Sequence, residues 1–475
     1  MQEKNYTKSL IVLTTLFFMW GFITCMNDIL IPFVKKAFDL SRAESMFVQF
    51  AFFTAYFVGS LAYFLLSLKQ DPISKIGYKN GLVAGLIISS LGTLLFYPAA
   101  ELKIYSLFLL ALFILGLGFT LLQIAANPYV AILGKPATAS SRLNLSQGFN
   151  SLGTTLAPII GGYLVFHYFA KWGEPLLNKL GNPITTEAGQ TISALGIQLP
   201  YMIFTGLFLV LAFVIYQAKL PEIHRSVDEV KGMGALRNRH LILGMVAIFM
   251  YVGGEVSIGS VLINFMHELL GYNEMIAKSY LALYWGGAMI GRFLGAVSLS
   301  DMKNQNKKIA SMIGIAIVAF GAIYGAIWLE NGISFSDVAP FGIFIILNLL
   351  AFKLGASKPA RTLMMFSLIV IGLLIITMLT NGKIALWTIL SIGLFNSIMW
   401  SNIFTLAIKD LGKYTSQGSS LLVMMILGGA IVPLLMGVTA DILGGYHHAF
   451  FIPAICYIYL AYYGWKGHIV KKTTK

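Results

Sequence analysis

Fourteen long apolar segments follow one another along this chain of 475 residues, with short polar stretches between them. Such runs are typical of helices that cross a lipid bilayer, each of which needs about 20 apolar residues. The composition agrees, because 57% of the residues are hydrophobic and only 11% are charged, against about 25% charged in soluble domains. The sequence therefore predicts an all-α integral membrane protein. Its predicted spans are 10–35, 45–68, 79–99, 104–132, 141–169, 199–219, 239–268, 276–299, 308–329, 338–354, 362–380, 383–409, 416–442 and 448–466.

Positive charge is divided unevenly between the two sides of the predicted membrane protein. If the N-terminus lies inside and successive spans alternate in direction, 25 of the 33 Lys and Arg residues fall on the cytoplasmic side. Multi-pass proteins carry such an excess in their cytoplasmic loops. The net charge of +14 therefore indicates topology and not binding to nucleic acid. We expect the lipid bilayer as a partner and both termini in the cytoplasm.

The chain contains an internal repeat. Four positions of the fourth and fifth spans match four positions near the C-terminus at one constant offset in residue number: Asn127 and Asn402, Gly153 and Gly428, Pro158 and Pro433, Gly162 and Gly437. A weaker match, at a smaller offset, pairs Phe18-Met19-Trp20 with Phe249-Met250-Tyr251. Chance similarity among glycine-rich helices is the alternative. Four matches at one offset favour a duplication, as in transporters built from two related halves.

The two halves are predicted to differ in length. Six spans lie in 1–219, a basic cytoplasmic linker covers 220–238, and eight spans lie in 239–475. We therefore expect two six-helix bundles with pseudo-two-fold symmetry, plus a two-helix hairpin inserted at about 338–380. Alternatively, 338–354 is an interfacial or re-entrant segment, because it is barely long enough to span.

Two acidic residues lie within apolar spans. Asp28 follows Thr24 by one helical turn in the first span, and Glu255 follows two glycines in the seventh. An ionised Asp in the hydrocarbon core costs at least about 2.5–3.5 kcal/mol on insertion scales. A carboxylate that exchanges a proton, or that holds Na⁺, would explain this cost, so Asp28 and Glu255 are the predicted cation-coupling residues. The alternative is a structural carboxylate bonded to a neighbouring helix.

Amide side chains recur at helical spacing in several spans. In the fifth span Asn144, Gln147, Asn150 and Thr154 form a stripe with steps of three and four residues. Amides offer donors and acceptors that match the hydroxyl groups of a sugar, and Trp stacks on the apolar face of a sugar ring. For any single amide, bonding between helices is an equal alternative. The predicted substrate-binding residues are Gln123, Asn127, Gln147, Asn150, Asn396 and Trp400.

Signatures of soluble enzymes are missing from the sequence. It has no phosphate-binding loop, no metal-ligand spacing of His and Cys, and no nucleophile elbow. We therefore predict no catalytic residue and no cofactor. Two other classes stand as alternatives. An integral-membrane enzyme would cluster acidic or His groups at helix ends, and a proton-pumping subunit would carry Lys in mid-membrane, whereas the Lys residues here fall at predicted helix ends or in loops.

Several short motifs resemble one transporter family, and they cover nearly the whole chain apart from 170–198 and 330–382. They are Asn27-Asp28-Ile29-Leu30, Ala125-Ala126-Asn127-Pro128-Tyr129, Arg142-Leu143-Asn144-Leu145, Gly291-Arg292-Phe293, Ile408-Lys409-Asp410-Leu411-Gly412 and Gly418-Ser419-Ser420. With them the chain resembles the fucose permease and glucose/galactose transporter family of the major facilitator superfamily. The resemblance implies an alternating-access fold, a monosaccharide substrate and coupling to a cation gradient.

The resemblance also implies roles for single residues. Asp28 matches the family's proton-linked acid, and Gln147 with Asn150 matches its sugar-contacting pair. Members that transport fucose carry Glu at the position of Gln123, so the combination of Gln123 with Glu255 resembles the glucose/galactose branch instead.

From these comparisons of motifs we predict a monosaccharide importer that is coupled to H⁺, or alternatively to Na⁺ bound near one of the two acids. Glucose or galactose is favoured as the substrate. An L-fucose/H⁺ symporter is the alternative within the family. We further expect a monomer in the inner membrane of a bacterial cell.

Overall fold

The computed structural model describes residues 6–37, 42–163, 195–221 and 232–470, with a few isolated positions between 163 and 195. Regular structure within these residues is helical, and β-pairing occurs there only as two isolated antiparallel bridges. The predicted all-α class is confirmed.

The helices follow the predicted spans closely. In the first half they are α1 (Thr7–Ala37), α2 (Arg42–Ser67), α3 (Pro72–Leu94), α4 (Tyr105–Ile132), α5 (Ala139–Tyr163) and α6 (Leu195–Gln217). In the second half they are α7 (Arg239–Leu270), α8 (Glu274–Ser298), α9 (Gln305–Asn331), α10 (Phe341–Gly355), α11 (Pro359–Leu379), α12 (Gly382–Asn396), α13 (Met399–Ala407), α14 (Thr415–Met424), α15 (Gly428–Leu443) and α16 (Phe451–Tyr462).

Ten helical segments of the described residues are long and apolar enough to cross a membrane, judged by length and composition. They are α1 to α4, α6, α7, α9, α11, and the joined pairs α12–α13 and α14–α15. The other four predicted spans coincide with α5, α8, α10 and α16, which are shorter or more polar. The architecture is that of a multi-pass membrane protein, and the number of fourteen crossings stays a prediction.

Local sequence explains where individual helices begin and end. The side chain of Asp71 precedes α3 and accepts hydrogen bonds from the backbone N–H groups of Ile73 at 3.0 Å and Ser74 at 3.3 Å. These N–H groups have no partner within the helix, so the carboxylate caps it. Gly271 and Gly332 end α7 and α9 with φ of 65° and 64°. Glycine adopts this left-handed conformation without a steric penalty.

The chain divides into two compact units. The first unit comprises Met1–Tyr129, Leu152–Gly232 and Ser419–Met424, and the second comprises Val130–Ser151, Met233–Gly418 and Met425–Lys475. Helix α5 is therefore shared, with its first half in the second unit. The predicted boundaries at 219 and 239 follow chain order and remain a proposal about the duplicated halves.

Each unit contains the same close helix approach, at positions that the sequence repeat pairs. In the first unit a Cβ added at Gly153 would collide with the backbone carbonyl of Phe18. In the second unit a Cβ added at Gly428 would collide with the backbone carbonyl of Phe249. Gly153 corresponds to Gly428 at the larger of the two sequence offsets, and Phe18 corresponds to Phe249 at the smaller one. The positions that the sequence repeat pairs therefore also make matching helix contacts.

Packing also relates the third helix of the first half to α11. In the first unit α3 packs along α6, and in the second unit α11 packs along α16. Helix α9 packs instead against α8, and α10 packs against α8, α11 and α12.

Candidate functional site

Helix α4 carries the predicted amide ligands of the first unit. Gln123 and Asn127 lie one helical turn apart and are both buried. The Asn127 Nδ2 atom donates to the backbone carbonyl of Gln123 at 3.1 Å. One turn earlier, the Thr120 hydroxyl donates to the carbonyl of Gly116 at 2.8 Å. Three polar side chains therefore follow one another along a helix that is otherwise strongly apolar, and the sequence analysis predicted two of them, Gln123 and Asn127.

The predicted coupling residue Asp28 falls in α1, within the stretch 27–46 where the side chains, including that of Asp28, lie outside the described part of the structure. Its role stays a prediction.

The amide stripe of α5 begins in the second unit. Asn144 is fully buried, and its Nδ2 atom donates to the Ser140 carbonyl at 2.8 Å and to Asn402 Oδ1 at 3.3 Å. Asn144 therefore bonds α5 to α13, which is the interhelical role that stands as the alternative for any single amide. Farther along α5, Gln147 is buried and Asn150 is half-buried. These two predicted sugar ligands therefore follow Asn144, which bonds between helices, on the same helix.

The same end of α5 makes further polar contacts within the second unit. The hydroxyls of Ser140 and Thr405 are 2.6 Å apart. Lys135, just before α5, forms an exposed ion pair with Asp301 at 3.4 Å. Together with the bond between the two asparagines, these contacts fasten the start of α5 to the second half of the chain.

Glu255 is buried in α7, where it faces an arginine. Its Oε1 atom lies 3.8 Å from Nη2 of Arg292 and has no hydrogen-bond partner among the described residues. The Arg292 Nε atom donates to the carbonyl of Ser397 at 3.3 Å, and its Nη1 atom donates to the Ser151 hydroxyl. One guanidinium thus links α5, α7, α8 and the segment after α12.

Arg292 is a site residue that sequence reasoning missed. The charge pattern counts it among the cytoplasmic basic residues, but it lies well inside α8 and its side chain is only 14% exposed. The sequence feature that could have identified Arg292 is its position as a basic residue inside the predicted span 276–299. Buried Arg side chains in membrane helices are rare and pair with an acid or with backbone carbonyls.

The helix that carries Asn396 and Trp400 is interrupted between them. The sequence predicted one span over 383–409, but α12 ends at Asn396 and α13 begins at Met399. In the intervening turn the Ser397 hydroxyl donates to the Leu394 carbonyl at 2.7 Å. Such a side-chain bond competes with the helical backbone pattern. Asn396 and Trp400 therefore belong to two successive helices, and Ser397 and Ile398 between them keep right-handed helical φ and ψ.

Both polar atoms of the Asn396 amide bond to protein partners in this structure. Its Nδ2 atom donates to the Tyr284 hydroxyl at 3.0 Å, and its Oδ1 atom accepts from the Tyr457 hydroxyl at 2.7 Å. Tyr284 in turn donates to the backbone carbonyl of Glu255 at 2.9 Å. The side chain is fully buried. Asn396 therefore connects the acid-bearing helix α7 with α8, α12 and α16.

Trp400 presents an unused donor. Its indole is 8% exposed and stacks near Phe404, with ring centroids 6.2 Å apart. The Nε1 atom is buried and has no hydrogen-bond partner among the residues that the structure describes. A buried donor without a partner carries a desolvation cost of about 1–3 kcal/mol, which a bound acceptor would relieve.

Comparison with known proteins gives one consistent result. The family model described as the Major Facilitator Superfamily matches residues 11–352. The glucose/galactose transporter of Brucella abortus biovar 1 is 42% identical over 98% of this chain and 95% of its own length. The L-fucose-proton symporter of Escherichia coli K12 is 30% identical over 96% of this chain and 92% of its own length.

A solved structure agrees in fold over the full length. The crystal structure of the E. coli fucose:proton symporter superposes with a TM-score of 0.75 at 28% identity, over 99% of this chain and 100% of that one. These matches and the helical architecture lead to one assignment. The chain belongs to the major facilitator superfamily, within the family of glucose/galactose transporters and fucose permeases, and is a multi-pass membrane sugar symporter and not an enzyme.

Proposed function

We propose that the protein imports a monosaccharide of the glucose or galactose type together with protons, by alternating access. The observation that carries the choice of substrate is the 42% identity, along almost the whole chain, to a protein named a glucose/galactose transporter. The combination of Gln123 with Glu255 supports the same branch.

Protons are the proposed coupling ion, because one relative is named an L-fucose-proton symporter. Asp28 remains the second proposed coupling residue.

We propose that the sugar is bound by amides and by one indole. Gln147 and Asn150 on α5 and Gln123 and Asn127 on α4 keep their predicted role as ligands of sugar hydroxyls. Trp400 supplies an N–H donor and an aromatic face. Asn396 is proposed to hold neighbouring helices in position and not to bind the sugar, because its amide nitrogen and its amide oxygen each bond to a tyrosine.

Alternating access requires contacts that close one side and then release. We propose that the contacts at the start of α5 are such a closure, at the cytoplasmic end. They include the exposed ion pair of Lys135 with Asp301, which is worth little in stability because exposed pairs contribute about 0–1 kcal/mol. Contacts of this strength can be made and broken in every cycle.

The proposed topology keeps fourteen crossings and both termini in the cytoplasm of a bacterial cell, with the protein as a monomer in the inner membrane. We revise the position of the extra pair of helices. Helix α9 lies at the smaller sequence offset from α3, and α11 comes before α12 in the chain as α3 comes before α4. Packing distinguishes them, because α11 packs on the last helix as α3 packs on α6, whereas α9 packs on α8. The extra pair is therefore proposed as α9 and α10, instead of 338–380.

An L-fucose/H⁺ symporter is the second candidate, favoured by the fold similarity to the E. coli symporter. Uptake by purified protein in liposomes distinguishes the two. Radiolabelled glucose, galactose and L-fucose are supplied separately under an imposed H⁺ gradient and under an imposed Na⁺ gradient. We expect glucose or galactose to accumulate with H⁺ alone. Accumulation of fucose alone would establish the second candidate, and accumulation driven only by Na⁺ would refute proton coupling.

A further inference from the structure

Helix α10 carries a buried amide in an otherwise apolar segment. Among its fifteen residues only Asn348 and Lys353 have polar side chains. Lys353 lies in the last turn, but Asn348 lies at the centre and is fully buried. The other buried side chains of α10 include Phe341, Ile345 and Phe352, which share its face. An apolar residue at this position would complete a continuous apolar face.

Asn348 uses its amide on a backbone group of another helix. Its Nδ2 atom donates to the carbonyl of Leu394 in α12 at 3.1 Å. Its Oδ1 atom is buried and has no hydrogen-bond partner within the described part of the chain. An unmatched buried acceptor is unfavourable, and replacing polar partners by apolar groups of similar shape is often neutral or stabilising. Stability alone therefore does not account for an amide here.

The acceptor of this bond lies at the interruption between α12 and α13. Leu394 is two residues before the end of α12, and the turn at Ser397 and Ile398 interrupts the helical ladder. Carbonyl groups freed inside a membrane protein need another donor. The Leu394 carbonyl accepts from the Ser397 hydroxyl of the turn itself and also from Asn348, and the Ser397 carbonyl accepts from Arg292 at 3.3 Å. The interruption is thus held by one side chain of the turn and by side chains from two other helices.

The geometry of this interruption sets where Trp400 lies. Trp400 is the second residue of α13, directly after the turn, so a change in the turn angle moves its indole relative to α12. We infer that Asn348 is a positioning residue for substrate binding, through which the extra helix α10 fixes the interruption and hence the indole of Trp400. This inference rests on the proposed function, in which Trp400 binds the sugar.

The test compares Asn348→Leu with wild type in purified, reconstituted protein. Leu is similar in size to Asn and lacks the donor. We expect the KM for sugar exchange to rise about threefold to tenfold, as for loss of one hydrogen bond, with the maximal rate of exchange changed less than twofold. The unfolding midpoint without sugar should stay at the wild-type value, while a higher sugar concentration is needed to raise it. Asn348→Ala provides the same comparison if Leu cannot be accommodated.

Thr377→Val is the matched control. The hydroxyls of Thr377 and Thr388 are 2.8 Å apart and join α11 to α12, more than one helical turn from the interruption. The KM of the Thr377→Val variant should equal that of wild type. The inference is overturned if Asn348→Leu and Asn348→Ala keep the wild-type KM, or if Thr377→Val raises KM equally. Wild-type protein that transports no sugar would instead refute the proposed function, which the uptake assay detects separately.

Discussion

Replacement of Glu255 by glutamine should separate sugar binding from energy coupling. The Glu255 Oε1 atom and the Arg292 Nη2 atom are 3.8 Å apart in a buried site. The attraction between unit charges at this distance is about 4 kcal/mol at an effective dielectric constant of about 20. Protonation of Glu255 removes this attraction, so the ion pair with Arg292 exists only while Glu255 is ionised. Glu255→Gln keeps the shape of the side chain and fixes it in the neutral form.

The expected loss of coupling can be stated as the ratio of the sugar concentration inside the liposome to that outside. One charge moving through a membrane potential of about 100 mV releases about 2.3 kcal/mol, and about 1.4 kcal/mol corresponds to a factor of ten. A symporter that carries one proton per sugar therefore concentrates its substrate at most about 50-fold at this potential. With Glu255→Gln the ratio should fall to about one, because no proton accompanies the sugar. Exchange of labelled for unlabelled sugar should continue, since it needs no net proton movement.

The assay is uptake into proteoliposomes with a potential of about 100 mV, followed by counterflow exchange in the same preparation. Asp441→Asn is the control, because it neutralises an exposed carboxylate in α15 and should keep the wild-type ratio. If Glu255→Gln still concentrates sugar as wild type does, Glu255 is not a coupling residue. Loss of exchange as well would identify the residue as a determinant of sugar binding.

Two further predictions concern the ligand and the packing. Trp400→Phe keeps an aromatic ring but removes the buried indole donor, so the KM for exchange should rise about threefold to tenfold; an unchanged KM would exclude a hydrogen bond from the indole to the sugar. Gly428→Ala places a methyl group against a backbone carbonyl of α7 and should destabilise the purified protein by about 1–3 kcal/mol, measured by thermal unfolding. Gly437→Ala, where no atom lies close to an added Cβ, is its control and should not lower the midpoint, because Ala favours the helix over Gly.

The features that could be predicted from the sequence depend on patterns along the chain. Spans are visible as apolar runs, because each membrane helix must satisfy its own backbone and cover its surface with apolar side chains. The repeat of glycines is visible because small residues such as Gly153 and Gly428 are required wherever two helix backbones come close. The buried position of Glu255 follows from its place within an apolar run.

The features that could not be predicted depend on contacts between distant segments. The interruption before Trp400 is stabilised by bonds from Arg292 and Asn348, which belong to helices far away in sequence. The apolar run predicts one continuous span through Asn396 and Trp400 and does not reveal that the helix is interrupted between them. The partners of Asn396 are tyrosines of two other helices, so spacing could not distinguish a positioning residue from a ligand.

Sugar-driven proton movement tests the central claim most directly. Purified protein is reconstituted into liposomes that contain a pH-sensitive dye, with no imposed pH gradient and with the potential clamped at zero. External glucose or galactose should acidify the lumen in proportion to the labelled sugar that enters, and Glu255→Gln liposomes should take up sugar without acidification. Sugar entry into wild-type liposomes at a constant internal pH would contradict proton coupling.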